Sequence, residues 1–347
     1  MSHNILITGA SGYLGGTVLA RWERARLTSY HTLYALVRTE EQGEAVQKYG
    51  AKPISFDIKD EVSIRNAIVE NEITVVYFLI DAMTSVSQIP MIKALAEVKE
   101  KTGKDVHFLH TSGAKIFSNH AGLPTDRPIL DNDPELYGLQ KSSIAKYDLV
   151  QKALSTNNNV IDTADAHGVK SYIFVPCIVY GEGEGFGNSI SIQTVAIVKA
   201  AKALGRVYRP DPEDYSWPVS HVADTANLYL EILRGILSGK EIGHGRNGYY
   251  LGASGSMSWN DIYRAMATAL AERKVIETDK VKLVDAPAQA EMGKALGCPK
   301  EMVPLFLGGK CTLEAHHGRE IGWVPRHPPE HILDMADAEV DLILRNI

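Results

Sequence analysis

A tyrosine and a lysine four residues apart are the side chains best suited to acid–base chemistry. Of the fifteen tyrosines in the chain, only Tyr137 is followed four residues later by a lysine, Lys141. On a helix this spacing places both side chains on one face, and a neighbouring cation lowers the pKa of a phenol from about 10. The pair therefore predicts a proton donor or acceptor that works near neutral pH.

A glycine-rich turn near the start of the chain has the spacing of a phosphate-binding loop. Its glycines follow one another at three-residue intervals, between an apolar strand pattern and a helical pattern. In that setting they turn the chain, let the backbone approach a pyrophosphate and permit close helix packing. The turn predicts dinucleotide binding through Gly9, Ser11, Gly12, Tyr13, Leu14 and Gly15.

Residues after the second and third predicted strands bear on which dinucleotide binds. The second strand ends at Arg38, and no carboxylate follows until Glu40. An acidic residue at this place accepts from the ribose of NAD, whereas an arginine accommodates the 2′-phosphate of NADP. Arg38 therefore favours NADP(H) over NAD(H), with a solvent-exposed arginine as the alternative. After the third strand, Asp57 and Ile58 are predicted to contact the adenine; the alternative for Asp57 is an ordinary loop carboxylate.

The order of apolar patterns predicts the elements that position these residues. Strand-length apolar runs alternate with amphipathic stretches, which is typical of βαβ units around a parallel sheet. The predicted strands are 4–7, 32–37, 52–56, 74–80, 106–110, 170–175 and 248–252. The predicted helices are 14–26, 40–48, 60–70, 87–100, 137–154, 191–204, 222–238 and 258–272, with a surface loop at the polar run 155–160.

These elements indicate an α/β fold, a Rossmann-type doubly wound parallel sheet with a smaller C-terminal substrate-binding lobe. The dinucleotide-binding domain is predicted at 1–176, completed by about 218–252. The substrate-binding lobe is predicted at 177–217 and 253–347. In such a fold the ligand lies at the carboxyl ends of the strands.

Composition excludes several other classes of protein. A net charge of -6 provides no positive field for nucleic acid. The three cysteines are too few for a disulfide framework, and the twelve histidines include no His-Glu-x-x-His pair, so no metal site is expected. No secretory signal and no apolar run of about 20 residues is present, which predicts a cytoplasmic protein without a membrane span. The expected partner is a small-molecule substrate; the oligomeric state stays open, a homodimer included.

Taken together, the motifs resemble the short-chain dehydrogenase/reductase superfamily, in its extended epimerase/dehydratase-like and NmrA-like branches. The resemblance spans most of the chain and is carried by residues 8–15, 111–113, 137–141, 175–181 and 221–224. It implies that Tyr137 exchanges a proton with a substrate oxygen and that Lys141 binds the nicotinamide ribose. It also implies that Pro176 lines the nicotinamide side and that Asn188 and Gln193 contact substrate.

The chain departs from this family at one position. Four residues before the aromatic Phe117 the family usually has a serine or threonine that donates to the reacting oxygen, and this chain has Gly113. The adjacent Ser112 is the predicted substitute, although neighbouring side chains on a strand point in opposite directions. Lys115 is a second candidate, as a donor to an oxyanion or as a desolvated base; the alternative is a solvated lysine.

The expected function is an NADPH-dependent oxidoreductase acting on a carbonyl or alcohol carbon of a small organic molecule. Three alternatives remain open at this stage. A sugar-nucleotide epimerase or dehydratase would return the hydride, a repurposed enzyme would catalyse a non-redox isomerisation or cyclisation, and an NmrA-like sensor would bind dinucleotide and act through protein partners.

Overall fold

A parallel seven-stranded sheet forms the centre of the fold in the computed structural model, which describes residues 2–347. The strands are β1 (His3–Ile7), β2 (Tyr30–Leu36), β3 (Lys52–Ile54), β4 (Val75–Phe78), β5 (His107–Thr111), β6 (Ile129–Leu130), β7 (Lys170–Pro176), β8 (Ile178–Tyr180), β9 (Tyr208–Arg209), β10 (Ser216–His221), β11 (Tyr249–Gly252), β12 (Gly255–Ser258), β13 (Lys282–Leu283) and β14 (Leu313–Glu314).

Helices cover both faces of this sheet and build the C-terminal region. They are α1 (Tyr13–Ala25), α2 (Glu40–Gln47), α3 (Glu61–Glu70), α4 (Gln88–Thr102), α5 (Leu136–Ser142), α6 (Asp148–Ala166), α7 (Gln193–Leu204), α8 (Val222–Leu237), α9 (Trp259–Glu272), α10 (Ala286–Leu296), α11 (Val303–Leu307), α12 (His317–Glu320), α13 (His331–Asp334) and α14 (Ala336–Asn346). Short 3₁₀ turns lie at Ala114–Phe117, Asn119–Ala121, Gly245–Asn247 and Lys300–Met302.

The strand order places a crevice beside β1. The order in the large sheet is β11-β7-β5-β4-β1-β2-β3, and β1 pairs in parallel with both β2 and β4. The chain therefore changes direction of winding at β1, which is where ligands bind in open α/β sheets. All seven predicted strands are present in this sheet, and the predicted doubly wound α/β fold is confirmed.

The physical basis of the sheet is burial on both faces. All four residues of β4 are buried, as expected of a central parallel strand covered by helices on each side. Helices α1 and α8 pack together, as do α3, α4 and α6. Side-chain caps fix where some of the helices begin: Thr39 accepts from the amide of Gln42 at the start of α2, and Asp60 accepts from Val62 at the start of α3.

The region from 137 to 160 differs from its prediction. The single helix predicted at 137–154 is two helices, α5 and α6, separated by 143–147, and the predicted surface loop at 155–160 lies inside α6. Polar residues of low helix propensity are held there by tertiary contacts. Thr156 and Asn157 are buried, and the amide of Asn157 donates to Gln140 at 3.4 Å. The helix that packs along the sheet in this region therefore starts later than the sequence pattern indicates.

A buried carboxylate connects the C-terminal region to the edge of the sheet. Asp131 is fully buried and accepts hydrogen bonds from the backbone amides of Leu251 at 2.8 Å, His316 at 2.7 Å and His317 at 2.9 Å. Leu251 belongs to the edge strand β11, and His316 directly precedes α12. One side chain thus holds two distant parts of the chain together.

Replacing this carboxylate should destabilise the protein without touching the site described below. In Asp131→Asn an amide N–H replaces one acceptor and faces backbone donors, which should lower the free energy of unfolding by about 2 to 3 kcal/mol. Urea unfolding followed by circular dichroism measures it. The exposed Asp126→Asn is the control and should lie within about 0.5 kcal/mol of the parent. Equal midpoints for the two variants would contradict this role.

Candidate functional site

A largely apolar cavity of about 480 Å³ opens at the carboxyl ends of the central strands. The glycine turn after β1 forms one side, the ends of β5 and β7 form the floor, and α6 with residues near Trp217 and Leu305 completes the wall. Of the residues predicted from the sequence, the cavity contacts Gly9, Gly12, Tyr13, Leu14, Gly15, Ser112, Pro176, Asn188 and Gln193.

The geometry of the glycine turn fits a dinucleotide pyrophosphate. Gly9 has a φ of +68°, and a Cβ there would lie 2.8 Å from the carbonyl oxygen of Leu79. A Cβ on Gly15 would collide with the carbonyl oxygen of Gly9. Gly12 begins α1 without a side-chain cap, and the first turn of α1 has no acidic residue. The helix start is therefore open to an anion, which its amides and dipole favour.

A second glycine-rich segment, 181–187, packs directly on this turn. Gly185 lies so close to Gly16 that neither residue has room for a Cβ without displacement of the other. The Tyr13 hydroxyl donates to the carbonyl of Gly181 at 2.6 Å. Asn188 lines the cavity, but its side chain is committed to the backbone of Ile190, donating at 3.0 Å and accepting at 3.1 Å.

The end of β2 presents neutral and basic groups beside the turn. Arg38 is exposed, and its backbone amide donates to Gln42 Oε1 at 2.9 Å. Gln42 in turn donates to the hydroxyl of Ser11 at 3.4 Å, so the Arg38 segment is connected to the phosphate turn. Asp57 and Ile58 follow β3 and do not line the cavity; the exposed Asp57 carboxylate accepts from the amide of Lys59 at 2.9 Å.

Ser112 has the free hydroxyl at the end of β5. Its Oγ is buried and has no hydrogen-bond partner among the described residues, and the residue lines the cavity. The hydroxyl of Thr111, by contrast, lies 2.8 Å from that of Tyr229. An added Cβ at Gly113 would meet nothing within 4 Å. The position at which the family resemblance predicts a hydroxyl therefore has room for a side chain. A buried unpaired donor is costly, and a ligand oxygen would satisfy it.

The structure places the predicted Tyr137/Lys141 pair outside this cavity. Within residues 2–347, neither side chain belongs to the cavity lining. The Tyr137 hydroxyl donates to Asp162, and Lys141 Nζ lies 2.7 Å from both the Tyr137 oxygen and Asp162 Oδ2. Asp162 lies roughly 20 Å further along α6 than Leu149, which does line the cavity. The prediction that this pair faces the cofactor cleft is therefore wrong.

The electrostatics of the pair also differ from what the sequence indicated. Burial and the Asp162 carboxylate raise the pKa of Tyr137, although Lys141 acts in the opposite direction. The hydrogen bond to Asp162 raises the pKa of Lys141. A tyrosine with a raised pKa that donates to a carboxylate stays a neutral phenol at neutral pH. The cluster connects α5 to α6, with the Arg246 guanidinium 4.9 Å from the Tyr137 ring.

The residues of α6 that line the cavity are apolar. Helix α6 presents Leu149 and Ala153 to the cavity, four residues apart and therefore on one face. Neither side chain can donate or accept a proton. The sequence pattern did not indicate this, because it predicted one helix at 137–154 where the structure has α5 and α6.

Lys115 supplies the one charged side chain among the described residues that line the cavity. It donates to the backbone carbonyl of Leu305 and lies 3.5 Å from that of Phe306. Its Nζ is 5.6 Å from the ring centre of Trp217 and 5.9 Å from that of Phe306. Burial lowers the pKa of Lys115 to about 7, because low-polarity surroundings disfavour the ammonium form.

The C-terminal wall of the cavity had little signal in the sequence. Leu305 and Phe306 come from α11, an apolar segment without any motif. Gln42 could have been noticed from its position four residues after Arg38 on a predicted helix.

In the part of the chain that the structure describes, no group of three or more His, Cys, Asp or Glu side chains is arranged to hold a metal ion. No helix of residues 2–347 is long and apolar enough to cross a membrane.

The placement of Tyr137 makes a simple prediction. Tyr137→Phe should lower the free energy of unfolding by about 1 kcal/mol through lost hydrogen bonds and leave the dinucleotide dissociation constant unchanged. Leu149→Trp, which narrows the cavity, is the contrasting variant and should weaken binding. Fluorescence titration with NADPH and urea unfolding provide both numbers. A large loss of NADPH affinity in Tyr137→Phe would show that the pair acts in the cleft after all.

Comparison with known proteins agrees with this fold. A curated protein described as oxidase ucsJ, from Acremonium sp, is 21% identical, with 95% of this chain and 94% of that protein covered. UDP-glucose 4-epimerase from Thermotoga maritima superposes with a TM-score of 0.63 at 16% identity, over 99% of both chains. dTDP-glucose 4,6-dehydratase from Bacillus anthracis gives a TM-score of 0.65 at 11% identity, over 99% of this chain and 97% of that one.

The family assignment rests on the sequence itself. Residues 5–244 match the model of the NAD dependent epimerase/dehydratase family. This stretch contains the glycine turn, α6 and six of the seven strands of the large sheet, and it includes every described lining residue of the cavity except Leu305 and Phe306. The chain belongs to the NAD-dependent epimerase/dehydratase family, whose enzymes use a nicotinamide dinucleotide.

Proposed function

We propose that this protein is an NADP(H)-dependent oxidoreductase that acts on a carbonyl or alcohol carbon of an apolar small molecule. The observation that carries the proposal is the composition of the cavity. The glycine turn, which fits a dinucleotide, forms one side of the cavity. The rest of the described lining is apolar except for a few hydroxyls and amides, a thiol and Lys115. A pocket of this kind takes a ligand with a large apolar surface and one or two polar atoms.

The same lining argues against a sugar nucleotide as substrate. A nucleoside diphosphate carries charges that proteins usually bind with arginine or lysine side chains. No arginine is among the described residues that line the cavity, and Lys115 is the one lysine among them. UDP-glucose is named with the Thermotoga maritima epimerase structure, but this chain lacks a second cation for such a ligand within its cavity.

The mouth of the cavity is also apolar. Met83, Leu149 and Ile192 line it and are 38%, 37% and 69% exposed. Single exposed apolar residues are ordinary, but several that border one cavity indicate a binding surface for an apolar ligand. The substrate lobe that we propose, 177–217 and 253–347, contributes Trp217 and Phe306 to the opposite wall.

Each of the chain's own groups has a defined task in this proposal. When bound, the nicotinamide dinucleotide supplies or accepts a hydride. The amides at the start of α1 hold the pyrophosphate, and Arg38 pairs with the 2′-phosphate of NADP. The unpaired hydroxyl of Ser112 donates a hydrogen bond to the reacting oxygen, and the apolar wall excludes water from it.

One observation favours a second candidate function, a non-redox isomerase or cyclase on the same scaffold. Leu149 and Ala153 bring no acid–base group to the cavity, which removes the expected proton donor for hydride chemistry. In such an enzyme the bound dinucleotide is a structural part of the pocket. The two functions differ in whether NADPH is consumed.

Removal of the Arg38 guanidinium tests the cofactor preference. Arg38→Ala should weaken NADPH binding about 10- to 100-fold through loss of a charged hydrogen bond to phosphate, and NADH binding should change little. Isothermal titration calorimetry with both cofactors measures this. Arg24→Ala, an exposed arginine on α1, is the matched control with unchanged affinities. Equal losses for NADPH and NADH, or tighter binding of NADH by the parent, would contradict the preference.

A substrate panel tests the reaction. With NADPH, apolar ketones and aldehydes should be reduced to alcohols with equimolar loss of NADPH absorbance, and UDP-glucose should be neither bound nor epimerised. Product is followed by mass spectrometry alongside absorbance. An isomerised product formed without loss of NADPH would reject the oxidoreductase function and support the isomerase function. Dinucleotide binding without conversion of any compound would contradict both enzyme functions and support a dinucleotide sensor.

A further inference from the structure

We propose that Lys115 moves the proton at the substrate oxygen, in place of the tyrosine that the family resemblance led us to expect. The inference rests on the proposed function, because it needs a substrate carbonyl or alcohol in the cavity. It assigns a catalytic task to a residue of the 3₁₀ turn Ala114–Phe117, which follows the Ser112 strand end directly.

The position of Lys115 places its amine in the substrate half of the cavity. Nζ lies between the carbonyls of α11 and the rings of Trp217 and Phe306. These groups lie on the proposed substrate lobe, not on the glycine turn. The side chain is half-buried, and it lines the cavity. An ammonium held by neutral carbonyl oxygens and aromatic faces has no carboxylate to neutralise it, so a substrate oxygen is a favourable new partner.

The other titratable side chains that line the cavity are less suited to exchange a proton with the substrate. The other titratable side chains among the described lining residues are Tyr13 and Cys177. The Tyr13 hydroxyl is bound to the Gly181 carbonyl at 2.6 Å, and the Cys177 thiol donates to the Gly252 carbonyl at 3.2 Å. Burial raises the pKa of both groups. Each therefore holds its proton at neutral pH, and its single donor is already used by a backbone carbonyl, whereas the Lys115 ammonium has three N–H donors.

The acidity of Lys115 suits proton exchange near neutral pH. Burial alone lowers its pKa to about 7, and a general acid is most effective when its pKa is close to the working pH. His120, in the next turn, has a pKa lowered to about 4 by burial, with the Lys115 charge contributing, so it is neutral beside Lys115. Its Nε2 is 3.1 Å from the carbonyl of Gly308. No carboxylate belongs to the described lining of the cavity.

In the direction of reduction, one proton moves from Lys115 to the substrate oxygen. The Lys115 N–H bond breaks and an O–H bond forms on the substrate oxygen, while the reduced dinucleotide provides the hydride that the carbonyl carbon receives. The product is an alcohol, and Lys115 is left as a neutral amine. Water returns a proton to the amine after product leaves. Oxidation of an alcohol uses the same groups in reverse, with the neutral amine as the base.

Two variants test this role in the full-length protein. Lys115→Met should lower kcat/KM for carbonyl reduction about 100- to 10,000-fold, the range of a lost general acid, with an unchanged dissociation constant for NADPH. In the parent, kcat/KM should fall as the pH rises through about 7, because the protonated form is the donor. Lys115→Arg should be impaired to a similar degree and should lack this pH dependence, because a guanidinium keeps its charge but cannot release a proton near pH 7. The exposed Lys152→Met is the control and should resemble the parent throughout.

A measurement without cofactor or substrate tests the titration itself. An unfolded lysine keeps its proton up to about pH 10, whereas folded Lys115 releases it near pH 7. Between these values the unfolded state binds more protons, so the stability of the parent should rise with pH. The gain in melting temperature of Lys115→Met over the parent should therefore be largest below pH 7 and shrink toward pH 10. A difference in melting temperature between Lys115→Met and the parent that stays constant over this pH range would overturn the proposal.

The outcomes separate this inference from the proposed function. If the parent reduces carbonyls and Lys115→Met does so equally well with the same pH profile, the role of Lys115 is overturned and the oxidoreductase stands. If the parent consumes no NADPH with any carbonyl, the proposed function fails, whatever the variants do. Borohydride trapping that attaches a carbonyl substrate to Lys115 would overturn proton transfer and show covalent chemistry instead.

Discussion

Close approach of backbone to backbone at the end of β1 is the constraint on which the rest of the site depends. Gly9 lies against the carbonyl of Leu79, and Gly16 lies against Gly185. Side chains have no room at these contacts, so the turn, the start of α1 and the 181–187 segment form one unit. This unit fixes where an anion can bind and which strand ends lie beside it. The cavity and its lining follow from that arrangement.

The chemistry that we propose for the cavity follows from its largely apolar lining. Helix α6 contributes only the apolar Leu149 and Ala153 to the lining, and Gly113 after β5 has no hydroxyl where the family resemblance leads us to expect one. Burial in this lining lowers the pKa of Lys115 to about 7. The apolar substrate and the proton chemistry that we propose therefore rest on the same feature of the cavity, its shortage of polar side chains.

The strands of the sheet and the glycine turn could be predicted from the sequence because each depends on a local pattern of residues. Continuous apolar runs identified the seven strands, and the glycine spacing identified the turn. The position of Tyr137 depended instead on the break between α5 and α6, which the helical pattern of the sequence does not show. Phe306 reaches the cavity only through packing of the C-terminal region, and no spacing in the sequence signals such a long-range contact.

A crystal structure of the protein with NADP⁺ would locate the cofactor relative to all of these groups. We expect the pyrophosphate on the amides at the start of α1, the 2′-phosphate at Arg38, and the nicotinamide in the cavity beside Ser112 and Leu149. The open face of the nicotinamide should then point toward Lys115. A nicotinamide beside Tyr137 and Lys141, or a dinucleotide bound away from the glycine turn, would contradict it.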